Sequence, residues 1–282
     1  MDQTYVLVLM VTLFGLVFGS FLNVCITRLP RQESILAPRS RCPRCGKPIR
    51  WYDNIPVLSY LILRGRCRDC HEPISALYPL VELLTAAVWL AAFLEYGPSP
   101  EAIKVAVFGM LCLILVFTDL RERRIPHAVT LFGIAAGLAL SFFIPVDNRP
   151  LEWAFRRLGF FLEGAPSSFM GALAGALVGG GLFYAVGEGF YILGGRQKEY
   201  LGFGDVMLML MVGTFLGVPL TLLTILAGSV AGTLIALPLE LAGPRFRHTQ
   251  WPYGSFLGAA AIASSLAGKT VLDAYLRWAG LE

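Results

Sequence analysis

Apolar residues run in long blocks along this chain, and polar residues gather in short stretches between them. An α-helix advances about 1.5 Å per residue, so a block of roughly 20 apolar residues is what crosses a ~30 Å hydrocarbon core. Eight blocks approach or reach that length: residues 4–27, 77–96, 102–118, 127–146, 168–193, 204–217, 218–241 and 254–279. The sixth is the shortest and is rich in methionine. The pattern predicts an all-α polytopic membrane protein of about eight transmembrane helices. It divides the chain into a first transmembrane helix (1–27), a polar loop domain (28–76) and a transmembrane core (77–282). Between blocks, Leu151–Leu162 mixes aromatic and aliphatic residues with two arginines, as in a helix lying on a membrane surface.

Composition agrees with the blocks. Hydrophobic residues make up 56% of the chain and charged residues 15%, and the mean hydropathy is +0.66. Such a balance does not easily build a water-soluble surface. Charge orients the spans, because loops rich in Lys and Arg stay in the cytoplasm. The 28–76 loop holds Arg28, Arg31, Arg39, Arg41, Arg44, Lys47, Arg50, Arg64, Arg66 and Arg68. With that loop inside, Arg121, Arg123, Arg124, Arg196, Lys198, Arg245 and Arg247 fall on the same side, and both termini face outward. The opening Met-Asp-Gln-Thr lacks the basic segment of a cleavable signal, so the first helix is read as retained. The net charge of +4 thus reflects topology and gives no support to nucleic-acid binding.

The loop is too short to build a large core and needs a staple. Cys42-Pro-Arg-Cys45 and Cys67-Arg-Asp-Cys70 form two C-x-x-C knuckles, each presenting two thiolates from a tight turn. Together they supply the tetrahedral sulfur set that zinc favours, in a structural site with no open coordination position. A redox dithiol and a disulfide pair are the alternatives, and the cytoplasmic placement speaks against both. His71 reads as a surface residue, and Cys25 and Cys112 read as small apolar fillers inside spans.

Ionisable groups beside apolar helices are costly and therefore candidates for chemistry. Asp119 closes the apolar run 105–118, and Asp205 opens the run 206–216. In the topology above both lie at the cytoplasmic boundary. Two carboxyl groups and one water suffice for peptide hydrolysis, since one removes the water's proton while the other polarises the scissile carbonyl. Gly202 and Gly204 would let the chain beside Asp205 bend toward an extended substrate, and Pro126 would redirect it after Asp119. Read from these residues alone, each Asp could equally flank or cap a helix.

The ordered motifs carry further weight. They are Gly19-Ser20-Phe-Leu-Asn23-Val-Cys-Ile-Thr-Arg28-Leu-Pro30, the paired knuckles with Asn54-Ile-Pro56 between them, and Tyr78-Pro79-Leu-Val-Glu82. Asp119 with Ile125-Pro126, then Gly202-Phe-Gly204-Asp205, and Pro252-Tyr-Gly254-Ser-Phe-Leu257 complete the order. This set resembles the type 4 prepilin peptidases through nearly the whole chain. The resemblance implies a Gly-x-Gly-Asp aspartyl protease with Asp119 and Asp205 as its catalytic pair. It implies prepilin or pseudopilin substrates, cut at the cytoplasmic face of a bacterial inner membrane. It also implies, by analogy only, N-methylation of the new N-terminus with S-adenosylmethionine, for which no residue is assigned. His127 and Ser255 depart from the common pattern, where an acidic or amide residue follows the Ile/Leu-Pro pair and Pro follows the glycine.

Three more features read more simply as structural. The glycines of the fifth block, Gly171, Gly175, Gly179 and Gly181, permit close helix approach. Glu82 is expected to bond to Asn23 across two helices, and Gly187 and Gly189 around Glu188 to mark a helix irregularity. The competing functional class is a non-enzymatic membrane transporter or assembly factor with a structural zinc loop, its aspartates serving as ion ligands. A methyltransferase without protease activity is the third.

Overall fold

The computed structural model describes residues 3–146, 152, 156, 157, 164–193, 202–242 and 251–280. Among them the regular structure is helical, apart from two isolated β-bridges, Arg41 with Pro48 and Arg66 with Pro73. Most of the surface helix expected over Leu151–Leu162 lies outside the described residues, as do the basic residues Arg196, Lys198, Arg245 and Arg247. Among the described residues six helices are long and apolar enough to cross a membrane, and a seventh apolar helix is shorter. The chain is a multi-pass membrane protein. It forms two compact units, Met1–Ile114 and Leu115–Glu282.

The first unit contains α1 (Gln3–Arg28), α2 (Leu58–Ile62), α3 (Leu77–Tyr96) and most of α4 (Pro100–Glu122). Helix α1 packs along α3, with Phe18 stacked on Trp89 at 5.0 Å between ring centroids. Its other face exposes Tyr5, Leu9, Leu13, Phe14 and Val17. Such a stripe suits hydrocarbon, where the helix satisfies its own backbone groups internally. Asn23 donates to the carbonyl of Tyr78 at 3.0 Å. Glu82 is bonded across elements, although not to Asn23: it accepts the backbone N–H of Val57 at 2.7 Å and bonds the Ser20 side chain. A buried carboxylate needs such donors, and the Val57 N–H, from the N-cap of the short α2 at φ 60°, supplies one.

The second unit holds the end of α4 with α5 (His127–Ser141), α6 (Ala165–Leu193), α7 (Phe203–Ala242) and α8 (Tyr253–Trp278). At 15 residues, α5 is shorter than its apolar block. Helix α7 runs through two of the expected blocks. Its 40 residues span about twice a bilayer core at 1.5 Å each, and the helical path breaks at Gly217 (φ 71°, ψ −177°), two residues before Pro219. Helices α6 and α7 meet closely. A methyl group placed on Gly213 would collide with the backbone of Gly175, and one on Gly179 would stand 2.7 Å from the Met209 carbonyl. In lipid, association rests on such backbone proximity rather than on hydrophobicity. Gly181 takes no part, since nothing lies within 4 Å of a methyl placed there. Nor does the chain become irregular around Glu188, which sits exposed on a helix continuous to Leu193.

Candidate functional site

Three separate stretches of the second unit build one site. The first is the end of α4, where Asp119 is 7% exposed. Arg123, at φ 52°, ends the helix with its N–H bonded to the Asp119 carbonyl at 2.9 Å. The chain then turns through Ile125 into Pro126, which precedes the first residue of α5. The second stretch is the start of α7, where Asp205 lies in the first turn and its N–H bonds the Gly202 carbonyl at 3.0 Å. A carboxylate there also faces the positive end of the helix. The third is the start of α8, with Gly254 and Ser255.

Ile125 locks the three together. A methyl on Gly204 would stand 2.9 Å from Ile125 Cβ, and one on Gly254 would stand 2.8 Å from Ile125 Cδ1. Only glycines let both helix starts close on that side chain. The same point above Gly254 lies 3.0 Å from Asp205 Oδ1 and 3.2 Å from Asp119 Oδ2. The two oxygens are therefore no farther apart than the sum of those distances, a gap that a single water can bridge. Ser255 completes the arrangement. Its backbone N–H donates to Asp119 Oδ2 at 2.7 Å, and its hydroxyl lies 2.8 Å from the same oxygen and 3.1 Å from the Val116 carbonyl. Asp119 is thus held in one rotamer by a residue 136 positions away. Sequence reading noted Ser255 only as a departure from a pattern, and it did not foresee the role of Gly254.

The first unit holds the cysteine quartet. The sulfurs of Cys42, Cys45, Cys67 and Cys70 all lie within 4.8 Å of one another. Cys42 and Cys70 are 3.8 Å apart, and all six cysteines of the chain are free thiols. A tetrahedral zinc bonded at about 2.3 Å places its sulfurs near that separation, whereas a disulfide would need about 2.05 Å. The quartet can hold a metal ion. The two knuckles repeat one local structure. Gly46 and His71 occupy equivalent left-handed positions, at φ 70° and 57°, with N–H groups bonded to the Cys42 and Cys67 carbonyls. His71 is thereby a turn residue outside the sulfur set. The backbone hydrogen bond from Cys45 holds the Cys42 thiol down to about 7. Side chains tie the knuckles to each other and to the 51–54 turn. Lys47 bonds Asp69 at 3.1 Å, and Arg68 grips Asp53 through two nitrogens at 2.6 and 2.8 Å. That grip keeps the Asp53 carboxyl below its ordinary range.

Comparison with known proteins matches two family models: residues 13–96 fit the bacterial peptidase A24 N-terminal domain, and residues 106–237 fit the type IV leader peptidase family. A prepilin leader peptidase/N-methyltransferase of Myxococcus xanthus is 41% identical over 240 residues, covering 84% of this chain and 65% of that protein. The protein of the same name from Aeromonas hydrophila is 33% identical, covering 95% of this chain and 93% of its own. A type 4 prepilin-like proteins leader peptide-processing enzyme of Escherichia coli is 35% identical over 90% and 91% of the two chains. No solved structure matches.

Proposed function

Since the chain belongs to the type IV leader peptidase family, we propose that it is a membrane aspartyl endopeptidase that removes the leader of prepilins or pseudopilins and then N-methylates the new N-terminus. The observation that carries the peptidase reading is the convergence of Asp119 and Asp205 about Gly254. In this reading a water between the two carboxyl groups loses a proton to the ionised one while the protonated one polarises the scissile carbonyl. The water oxygen forms the new C–O bond. The C–N bond then breaks as the leaving amine takes a proton back from the dyad. In this reading the two carboxyl groups share one proton, because like charges on neighbouring carboxylates repel.

Topology supports cleavage at the cytoplasmic face of the inner membrane, since the basic loop 28–76 and the end of α4 at Arg121, Arg123 and Arg124 share a side by the positive-inside rule. We assign residues 28–76 to a cytoplasmic four-Cys domain and 77–282 to the transmembrane core. Purified protein in detergent, mixed with a prepilin bearing a short basic leader, is expected to release a shortened product whose N-terminus gains one methyl group when S-adenosylmethionine is present. Intact substrate after prolonged incubation would exclude the peptidase.

The four cysteines would hold zinc as a structural ion. Four thiolates leave no coordination position for a nucleophilic water, so the metal has no part in hydrolysis. Metal analysis is expected to find about one zinc per chain, because the thiolates form a single closed set. Cys42→Ser combined with Cys67→Ser should remove it and expose residues 28–76 to protease at least about tenfold faster, since structural zinc sites carry the folding energy of small domains. A metal-free parent with a protease-resistant loop would contradict this assignment.

A further inference from the structure

Either carboxyl group of the dyad could hold the shared proton, and the two choices give Asp119 and Asp205 opposite roles. Each group faces the N-terminal end of a helix. Asp205 lies in the first turn of α7, and Asp119 accepts the N–H of Ser255, the third residue of α8. Pro252, which precedes α8, makes no side-chain cap, so Asp119 serves as one from another helix. Helix dipoles favour an anion at both places and do not separate the two groups. The Ser255 side chain does. Its hydroxyl lies 2.8 Å from Asp119 Oδ2, the oxygen that the Ser255 N–H already reaches at 2.7 Å. Arg123, at the end of the same helix as Asp119, adds a positive charge near it. Among the described residues Asp205 has no side-chain donor, only the backbone of Gly202 and the repelling charge of Asp119. The titratable groups on the neighbouring elements are engaged elsewhere. His127 of α5 sets its ring 5.9 Å from that of Phe203, and the Tyr253 hydroxyl of α8 is paired with Ser229 at 2.7 Å.

Hydrogen bonds to a carboxylate favour its charged form. The Ser255 hydroxyl also has a second acceptor, the Val116 carbonyl at 3.1 Å, to which it can turn once Asp119 is neutral. Proline, the common residue at this position in the family pattern, would offer neither an N–H nor a hydroxyl. We propose that Ser255 is the positioning residue that divides the work of the dyad: it holds Asp119 as the ionised member and leaves the shared proton on Asp205. The proposal rests on the peptidase reading and assigns its roles. Asp119 takes a proton from the water as the water oxygen forms the C–O bond, while Asp205 gives its proton to the carbonyl oxygen. The C–N electrons then pass to the nitrogen, which accepts the proton from Asp119, and Asp205 regains one from a hydroxyl of the tetrahedral intermediate. The cycle ends as it began, with Asp119 ionised and Asp205 protonated.

The test is the pH dependence of kcat/KM for leader cleavage by the full chain in detergent, in the parent and in Ser255→Ala, with helical content checked on both. Loss of the hydroxyl should move the acid limb of the profile, which reports the ionised member, up by about one pH unit, as loss of one hydrogen bond to a charged group does. The alkaline limb and KM should stay in place, because neither Asp205 nor the substrate loses a contact. Independently of that variant, Asp205→Asn should keep a larger residual rate than Asp119→Asn. An amide at 205 can still donate an N–H to the scissile carbonyl, whereas an amide at 119 cannot take a proton from water. An unmoved acid limb in folded Ser255→Ala would overturn the assignment, as would movement of the alkaline limb in its place. A residual rate in Asp119→Asn equal to or above that in Asp205→Asn would overturn it too, whether or not Ser255→Ala folds. A parent that cleaves no leader at any pH would overturn the peptidase reading itself, and this assignment with it.

Discussion

Asp119→Asn and Asp205→Asn are each expected to lower kcat/KM for leader cleavage by at least about 10³-fold, near the upper range for loss of a general acid or base. The substitutions remove a proton-exchanging oxygen while keeping the shape of the side chain. An amide oxygen at 119 can still accept from the Ser255 N–H, which lies 2.7 Å from the carboxylate in the unaltered chain. Folding should therefore survive, as helical content and detergent-phase monodispersity would register. The double variant should be little worse than either single one, because two groups acting on one water fail as a unit. The measurement is the initial rate on a fluorogenic leader peptide. If either single variant kept more than about a tenth of parental activity, the loss would be smaller than an acid-base partner causes, and the pair would not be the catalytic dyad.

Gly254→Ala is the second large effect, and it tests the space between the carboxylates rather than their chemistry. The added methyl would stand 3.0 Å from Asp205 Oδ1, 3.2 Å from Asp119 Oδ2 and 2.8 Å from Ile125 Cδ1. Ile125 can yield at its far end. Asp119 cannot easily do so, because the Ser255 N–H and hydroxyl hold the same oxygen. The strain falls on Asp205 and on the water's position, and a displacement of about 1 Å at a reacting centre costs about 10² in rate. The expected result is a fall of that order in kcat with KM nearly unchanged. Gly232→Ala is the control, since the atoms nearest its methyl would be those of Phe256 and Tyr253, at 3.4 Å or more. It should cleave as the parent does. Equal activity in the two variants would mean that the point above Gly254 is not where water reacts.

Much of this molecule is legible along the chain, for identifiable reasons. The helices are long apolar runs because a bilayer rejects unpaired backbone groups and admits few charges. Each of the apolar blocks recurs as helix among the described residues, with α5 shorter and α7 interrupted at Gly217. The cysteine quartet is legible because metal ligation demands a particular residue type at short spacing, twice over. The partner of Glu82 was not. One partner proved to be the backbone N–H of Val57, and no side-chain pattern encodes that. Gly181 was misjudged for a related reason, since a glycine in an apolar run does not reveal which helix face it occupies.

The sequence by itself determined that this is a membrane protein, which four thiolates can share an ion, and which two carboxyl groups stand at helix ends. Those properties follow from hydrophobicity, charge and local spacing. Tertiary structure alone decided that Asp119 and Asp205 meet, that Ile125 closes on Gly204 and Gly254, and that Ser255 fixes Asp119 across 136 residues. The physical reason is range. Partitioning into lipid acts on each segment separately, whereas the position of a carboxylate to within an ångström depends on how three helix ends pack against one side chain.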